Sequence, residues 1–321
     1  MIEPVDISEQ EIYKKSPKLL NLLLIDRTTN DNIKWATDNY YLSLENSNIR
    51  DKYQAHCSIE IDLILNDNKN IIQPRVLKSC SEQEIRTKNK AEVFTPAWVC
   101  NEQNNMIDEA WFGRSNVFNE RLPNNKWLAT TSPIVFPKRK SKNWESYVKA
   151  LRLEVSCGEA PYLVSRYDTT EGTLIPIEQR IGLLDRKLRV VSENCPDESV
   201  WFEWTKKAFQ SVYGYEYQGD NVLLARENLL YTFIFYYIAK FGCEPDLTKI
   251  LEIATIISWN IWQMDSFTLS PPYPAVIQGE LFTKNANLNK KFYCRIKDWV
   301  TGYTRFFYKL IKEHNNGKKS N

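Results

Sequence analysis

Apolar positions along the 321 residues fall into stretches of helical spacing, joined by connectors rich in Asn, Pro and Lys and broken by a few short strand-like runs. The longest helical stretch is 221–241, rich in Leu and aromatics and followed by Gly242, a residue free to take the left-handed conformation that ends helices. Similar spacing predicts helices from Thr95-Pro96 to Trp111, over 144–152 and over 201–213, and a helix or helix-to-strand segment over 247–262. Thr95 is a competent cap and Pro96 is tolerated at a first helical position. Strand-like runs are Tyr40-Tyr41-Leu42-Ser43-Leu44, the alternating 57–62, Leu153-Glu154-Val155 and Tyr213-Gly214-Tyr215-Glu216. Residues 119–143 read as loop, and 168–198 as an insertion with several turn signals. The expected organisation is an accessory region over 1–90 and an α/β domain over 91–321.

The run Leu153-Glu154-Val155-Ser156-Cys157-Gly158-Glu159-Ala160-Pro161-Tyr162-Leu163 reads as a strand, a small-residue turn and a helix start. In open α/β sheets ligands settle outside the carboxyl ends of the strands, where such a turn lets backbone amides approach them. Glu154 ill suits a phosphate cradle, which takes Lys and several glycines, and better suits an ammonium or sulfonium group. The second strand ends in Glu216, the usual device for gripping two ribose hydroxyls. The third segment ends in Asp265, able to accept from the exocyclic amine of a purine. An acid at a strand end is more often a solvated turn when taken alone; the order of the three along the chain points to a nucleoside-bearing pocket.

Composition narrows the picture. With 43% hydrophobic and 26% charged residues the chain reads as globular, and a net charge of +2 gives no strong global attraction to nucleic acid. Local basic runs, Lys138-Arg139-Lys140 with Lys142 and the Arg86, Lys88, Lys90 group, fit either a DNA contact or a solvated loop. Arg180, Asp185, Arg186 and Lys187 in the insertion pose the same choice between a partner contact and a solvated helix face. Seven cysteines without a C-x-x-C pair and only two histidines argue against a metal site. No basic leader or membrane-length apolar run is present in the sequence, so a cytoplasmic protein without a membrane partner is expected.

At this point the residues resemble a family. Glu154-Val155-Ser156-Cys157-Gly158-Glu159-Ala160-Pro161-Tyr162-Leu163 is similar to the S-adenosylmethionine-binding signature D-P-x-C-G-x-G-x-F-L of DNA adenine-N6 methyltransferases. Ala91-Glu92-Val93-Phe94-Thr95-Pro96 resembles the G-E-x-x-T-P stretch of type I and related modification methylases. Tyr213-Gly214-Tyr215-Glu216 with Ala225-Arg226-Glu227-Asn228-Leu229 resembles the family's Y-G-x-D/E strand and A-R-x-N-L helix, and 260–265 its N-I-x-x-G-D segment. The resemblance spans about residues 91 to 265. It implies a doubly wound, Rossmann-like methyltransferase fold that binds S-adenosyl-L-methionine. Thr95 and Pro96 would flank the methionine end of the cofactor, Glu154 would face its ammonium group, Cys157, Gly158 and Ala160 would lie in the turn beside it, Glu216 would hold the ribose hydroxyls, and Asp265 would sit by the adenine amine.

Departures from the family pattern sharpen what to expect. The second signature glycine is Ala160, followed by Pro161, so the turn is less free to adopt a positive φ. Cys157 and Glu216 are nearly sixty positions apart, where a βαβ step needs on the order of thirty residues. Methyl transfer in the family uses a [D/N/S]-P-P-[Y/F/W] loop whose acceptors hold the target amine and whose aromatic stacks on a flipped base. Ser270-Pro271-Pro272-Tyr273 matches it, yet follows Asp265 by five residues, leaving no strand to carry it. The rival placement is the strand-like 292–299, ending in Asp298-Trp299. With so little chain after it, the fold is expected to be incomplete at the carboxyl end. The reading is a DNA methyltransferase-like subunit of a restriction-modification or phage-defence system, with DNA and a specificity or restriction subunit as partners. The alternatives are a catalytically inactive subunit of the same fold acting as a DNA- or protein-binding component, and a methyltransferase of RNA or protein.

Overall fold

The computed structural model describes residues 4–43, 49–90, 92–139, 141–273 and 292–311. In chain order its elements are α1 (Glu9–Lys15), α2 (Pro17–Leu24), α3 (Asn39–Ser43), α4 (Cys80–Lys90), α5 (Ala97–Phe112), β1 (Asn119–Leu122), β2 (Lys126–Ala129), α6 (Trp144–Lys149) and β3 (Arg152–Val155). There follow α7 (Leu183–Asn194), α8 (Glu198–Gln210), β4 (Val212–Glu216), α9 (Gly219–Phe241), α10 (Leu247–Asn260), β5 (Ile261–Gln263), β6 (Arg295–Lys297) and β7 (Thr304–Phe306).

The frame is a mixed α/β arrangement around a parallel sheet of order β3-β4-β5, in which Leu153 lies opposite Tyr213 and Tyr215 opposite Trp262. Parallel neighbours need a crossover. Here each crossover carries two helices, α7 and α8 from β3 to β4, α9 and α10 from β4 to β5, which accounts for the long separation of Cys157 and Glu216. The period-2 alternation of the strands sorts their side chains. Val212 and Ile261 enter the large core shared with the helices, while Tyr215, Trp262 and Met264 enter a small cluster with Cys294, Ile296 and Phe307 from the β6–β7 hairpin.

Residues 168–198 are no excursion from the core. One face of α7 carries Leu184, Leu188 and Val191 into it, and the neighbouring charges are buried as well. Arg186 donates to Asp108 at 2.6 Å and to Asn101 at 2.9 Å, and the Asp185 carboxylate accepts from Ser165 and Gly182. Neither a solvated face nor a partner contact describes Arg180, Asp185, Arg186 or Lys187, because all four are at most 7% exposed. The amino-terminal residues also join this core through Leu20, Trp35, Tyr53 and Ile59.

Three local readings change. The run from Tyr40 is helical, as α3, because Tyr40 packs on Trp35 at 4.7 Å between ring centroids and its hydroxyl reaches Asp220. Five residues are too few for periodicity to outweigh such contacts; Leu44 lies outside the described residues. The alternating 57–62 run forms a single bridge, Lys34 to Ser58, before a 3₁₀ turn at Ile61–Leu63. Within 119–143, β1 and β2 pair antiparallel around Asn124 and Asn125, both left-handed at φ 58°, a conformation Asn tolerates well. Among the described residues no helix is long and apolar enough to cross a membrane.

Candidate functional site

Parallel pairing brings the three strand ends to one edge of the sheet, and the residues expected to hold a nucleoside gather there. After β3 the chain turns through Ser156, Gly158 and Ala160, all left-handed at φ 50°, 51° and 63°. Ala160 therefore adopts the conformation that a glycine would take without steric cost, and it does so fully buried. Its carbonyl accepts from Leu163 and Val164, and the Ala160 amide donates to the Cys157 carbonyl at 2.7 Å. Glu159 braces the turn from behind, accepting from the Arg75 amide at 2.7 Å and the Tyr167 hydroxyl at 2.6 Å.

Glu154 and Glu216 close this end of the sheet. Glu154 accepts from the Tyr162 and Leu163 amides at 3.3 and 3.2 Å. Burial pushes its carboxyl up to about 8 against those two bonds, with neighbouring Glu216 adding to the rise. Glu216 accepts from Gly158 at 2.9 Å on one oxygen and from Tyr217 and Gln218 at 2.8 and 3.2 Å on the other. Burial raises it too. Neither acid has a cation within ion-pairing distance among the described residues. Buried carboxyls held only by amides, on adjacent strands and without a cation, are driven toward the protonated form. A cation placed there would lower both acids' pKa values, and one lone pair on the Gly158-facing oxygen of Glu216 stays open for a hydroxyl.

The Thr95-Pro96 segment lies over the same turn. The Phe94 ring comes within 3.5 Å of where a Gly158 side chain would begin, and Arg75 sits over that ring at 5.3 Å. The Thr95 carbonyl accepts from Thr169 at 3.2 Å, and Asp168 accepts from Ala97 at the start of α5. Cys157 packs against Gly214 of β4, and burial pushes its thiol well up, so it is protonated and unreactive.

Asp265 follows β5 and closes a turn of its own through one carboxylate oxygen, Oδ1. It accepts from Phe267 at 2.8 Å and Thr268 at 3.3 Å, and its amide donates to the Ser270 carbonyl, closing a turn. Ser270 to Tyr273 continue from that turn, with Pro271 and Pro272 buried and Tyr273 left-handed at φ 49°. The Tyr273 carbonyl accepts from Lys34 at 2.9 Å, and its ring lies 6.5 Å from that of His56. Its hydroxyl partners Tyr217, the residue after Glu216. This loop shares the edge of the sheet with the turn but hangs from β5, two strands away from β3.

Asp298 and Trp299 lie elsewhere. Asp298 accepts from Val300 and Thr301 in the β6–β7 turn, and the Trp299 indole donates to Asn260 at 2.8 Å. Asn260 in turn donates to the carbonyls of Phe209 and Val212, which places the pair at the amino ends of β4 and β5. Of the basic runs, Arg86 is buried against Glu92 and Asp220, Lys88 pairs with Glu84 on the surface, and Lys142 donates to the Trp111 carbonyl. Lys140 lies outside the described residues. No group of three or more His, Cys, Asp or Glu among the described residues is arranged to hold a metal ion.

Two contributors carried no signal in the sequence. Residues 34–35 run across the ends of β4 and β5: the Lys34 amide donates to Gln263 at 2.8 Å, the Gln263 amide returns to the Lys34 carbonyl at 2.7 Å, and Gly219 donates to Trp35. The approach is so close that a side-chain carbon on Gly219 would lie 2.0 Å from the Lys34 carbonyl oxygen, which requires glycine at the start of α9.

With this geometry in place, comparison with known proteins adds no relative: no family model, no curated protein and no solved structure matches the chain.

Proposed function

We propose that this chain is a DNA adenine-N6 methyltransferase-like subunit of a restriction-modification or phage-defence system, binding S-adenosylmethionine at the carboxyl ends of β3 and β4 in a Rossmann-like frame. The observation that carries the reading is the pair Glu154 and Glu216, buried at adjacent strand ends, held by backbone amides and facing no cation. S-Adenosylmethionine brings a sulfonium, an ammonium and a ribose diol, the groups such a pair accepts. In this reading Glu154 balances the cationic end, Glu216 takes a ribose hydroxyl, and the methionine chain passes the left-handed turn at Gly158 and Ala160 once the Phe94 ring, which lies against Gly158, turns aside. Asp265 would meet the adenine amine through Oδ2, since its own turn uses Oδ1.

A second reading, cofactor binding without methyl transfer, is favoured by one observation: the Ser270–Tyr273 loop is tied to Lys34 and Tyr217 at the β5 end. A base stacked on Tyr273 would lie about two strand spacings, roughly 10 Å, from the turn after β3.

Calorimetric titration with S-adenosylmethionine tests the binding step. Heat of binding to the native chain and an affinity at least tenfold weaker in Glu216→Ala are expected; no heat, or equal affinity in the variant, would sink the reading. Transfer of labelled methyl groups to genomic DNA then separates the two readings. Incorporation that disappears in Tyr273→Ala supports catalysis, and binding without incorporation supports the second.

A further inference from the structure

Among the described residues the strand that opens the site, β3, has a neighbour on one side only. Its ladder to β4 begins with the Arg152 amide donating to the Ser211 carbonyl at 2.9 Å, so in a parallel ladder Arg152 and Glu154 turn their amides and carbonyls toward β4. Leu153 and Val155 turn theirs toward the open edge, where no described strand meets them. The same two residues present their side chains on the hairpin-covered face of the sheet, yet beyond the reach of that cover: Leu153 is 46% and Val155 58% exposed, and Leu151 before them is 70% exposed.

This bare corner continues into a groove of about 360 Å³ between the sheet and the hairpin. Its floor is Leu153, Tyr213 and Trp262, its far wall Ile296, Phe307 and Leu310. Parallel strands are ordinarily covered on both faces, and exposed apolar edges are usually blunted by charge, proline or a bulge. None of those devices is present on β3 from Leu153 to Val155, where the one charged side chain, Glu154, points into the core.

We infer that this edge and groove form a docking site for an extended, alternately apolar strand of a different protein chain, which adds to the sheet beside β3 and lays its apolar side chains into the groove. The amides and carbonyls of Leu153 and Val155, which no described residue pairs, specify a strand, since main-chain pairing is what an open edge offers. The groove specifies apolar residues at alternate positions. Arg152, Lys297 and Arg305 line it against one acid, Asp298, which favours acidic residues flanking the strand. A second copy of this chain fits less well. Two β3 strands paired edge to edge would be related by an axis perpendicular to the sheet, leaving both copies' Leu153 and Val155 side by side on the same uncovered face. The inference stands apart from cofactor binding, and its test reads neither cofactor nor methyl transfer.

The test has two arms. Hydrogen exchange on the full chain is expected to show the Leu153 and Val155 amides exchanging fast while those of β4 are protected; protection of both in the chain alone, without concentration dependence, would overturn the inference because the edge would already be paired. A displayed library of twelve-residue peptides is then selected on the native chain. Enriched sequences are expected to alternate apolar residues, to slow exchange at Leu153 and Val155, and to bind Leu153→Lys and Val155→Lys at least tenfold more weakly while binding Met106→Lys, on the exposed face of α5, unchanged. No enrichment, or peptides whose binding ignores both β3 variants, would overturn it. So would sedimentation showing a dimer that Val155→Lys dissociates, since the occupant would then be a second copy.

Discussion

Glu216 and Asp220 stand four residues apart, one closing β4 and the other in the first turn of α9, and the protein treats their charges in opposite ways. Burial pushes Asp220 up, but Arg86 at 2.8 Å, Lys78 at 3.6 Å and the Tyr40 hydroxyl at 2.6 Å overcome it and hold the carboxyl well below its usual range. Glu216 and its neighbour Glu154 have no such cations among the described residues, and burial raises both. The cations that neutralise Asp220 come from α4 and the segment before it, so that network fastens the amino-terminal residues onto α9. The difference separates an acid held as a carboxylate by cations of the chain from two acids that burial without such cations holds toward the protonated form.

The largest way to break this comparison is to remove the internal partner. Arg86→Met leaves Asp220 and Glu92 without their guanidinium in a buried place, and a loss of about 3–5 kcal/mol is expected in urea denaturation at neutral pH. Glu154→Gln, at an acid with no internal cation, is expected to cost nothing comparable. Equal losses in the two variants would mean that Glu154 and Asp220 are held alike.

The pH dependence of stability sharpens the same point. Glu154 is raised from an ordinary carboxylate value to about 8, so between about pH 4.5 and 8 the folded chain binds a proton that the unfolded chain has released. Its contribution is complete below the unfolded value and is lost as pH rises through 8. Glu154→Gln removes that loss. The variant is expected to exceed the native chain by at least about 1 kcal/mol at pH 8.5, with the gap closing by pH 5. A gap of constant size across that range would show that Glu154 does not titrate with folding.

A cation bound beside Glu154 would reverse the burden by favouring the carboxylate. S-Adenosylmethionine binding is therefore expected to release a proton and to tighten between pH 6 and 7.5, by up to tenfold per pH unit, while its own ammonium stays charged. Calorimetry in buffers of different ionisation enthalpy reads the proton directly. Binding in Glu154→Gln is expected to be weaker and flat with pH.

Much of this edge of the sheet was legible because strand ends and turns carry local signals. The expected strand at 153–155, the strand ending at Glu216 and the passage from helix into strand at 261 match β3, β4 and α10 into β5, and Gly242 ends α9 at φ 72°. What escaped was decided by distant contacts. The apolar content of α7 pointed to neither role offered for Arg186, because Asp108 and Asn101, more than seventy positions earlier, accept its guanidinium inside the core. Arg86 read as part of a basic surface run for the same reason, its partner Asp220 lying far along the chain. Lys34 and Trp35 have no motif at all; their place is set by main-chain bonds to Gln263 and Gly219, which any residue could make.

The smallest expected effect concerns the turn itself. Ala160 holds φ 63° with its methyl buried, where an L-residue pays on the order of 1 kcal/mol relative to glycine. Ala160→Gly removes that strain and adds backbone freedom to the unfolded chain, worth about 0.4–1 kcal/mol in the other direction. The two terms nearly cancel, so the melting temperature is expected to move by no more than a few degrees. The ligand end should respond differently. If Ala160 crowds the path of the methionine chain under Phe94, Ala160→Gly tightens S-adenosylmethionine severalfold with stability nearly unchanged. If the turn is only a structural corner between β3 and the Glu154-capped segment after it, stability and affinity both stay where they were.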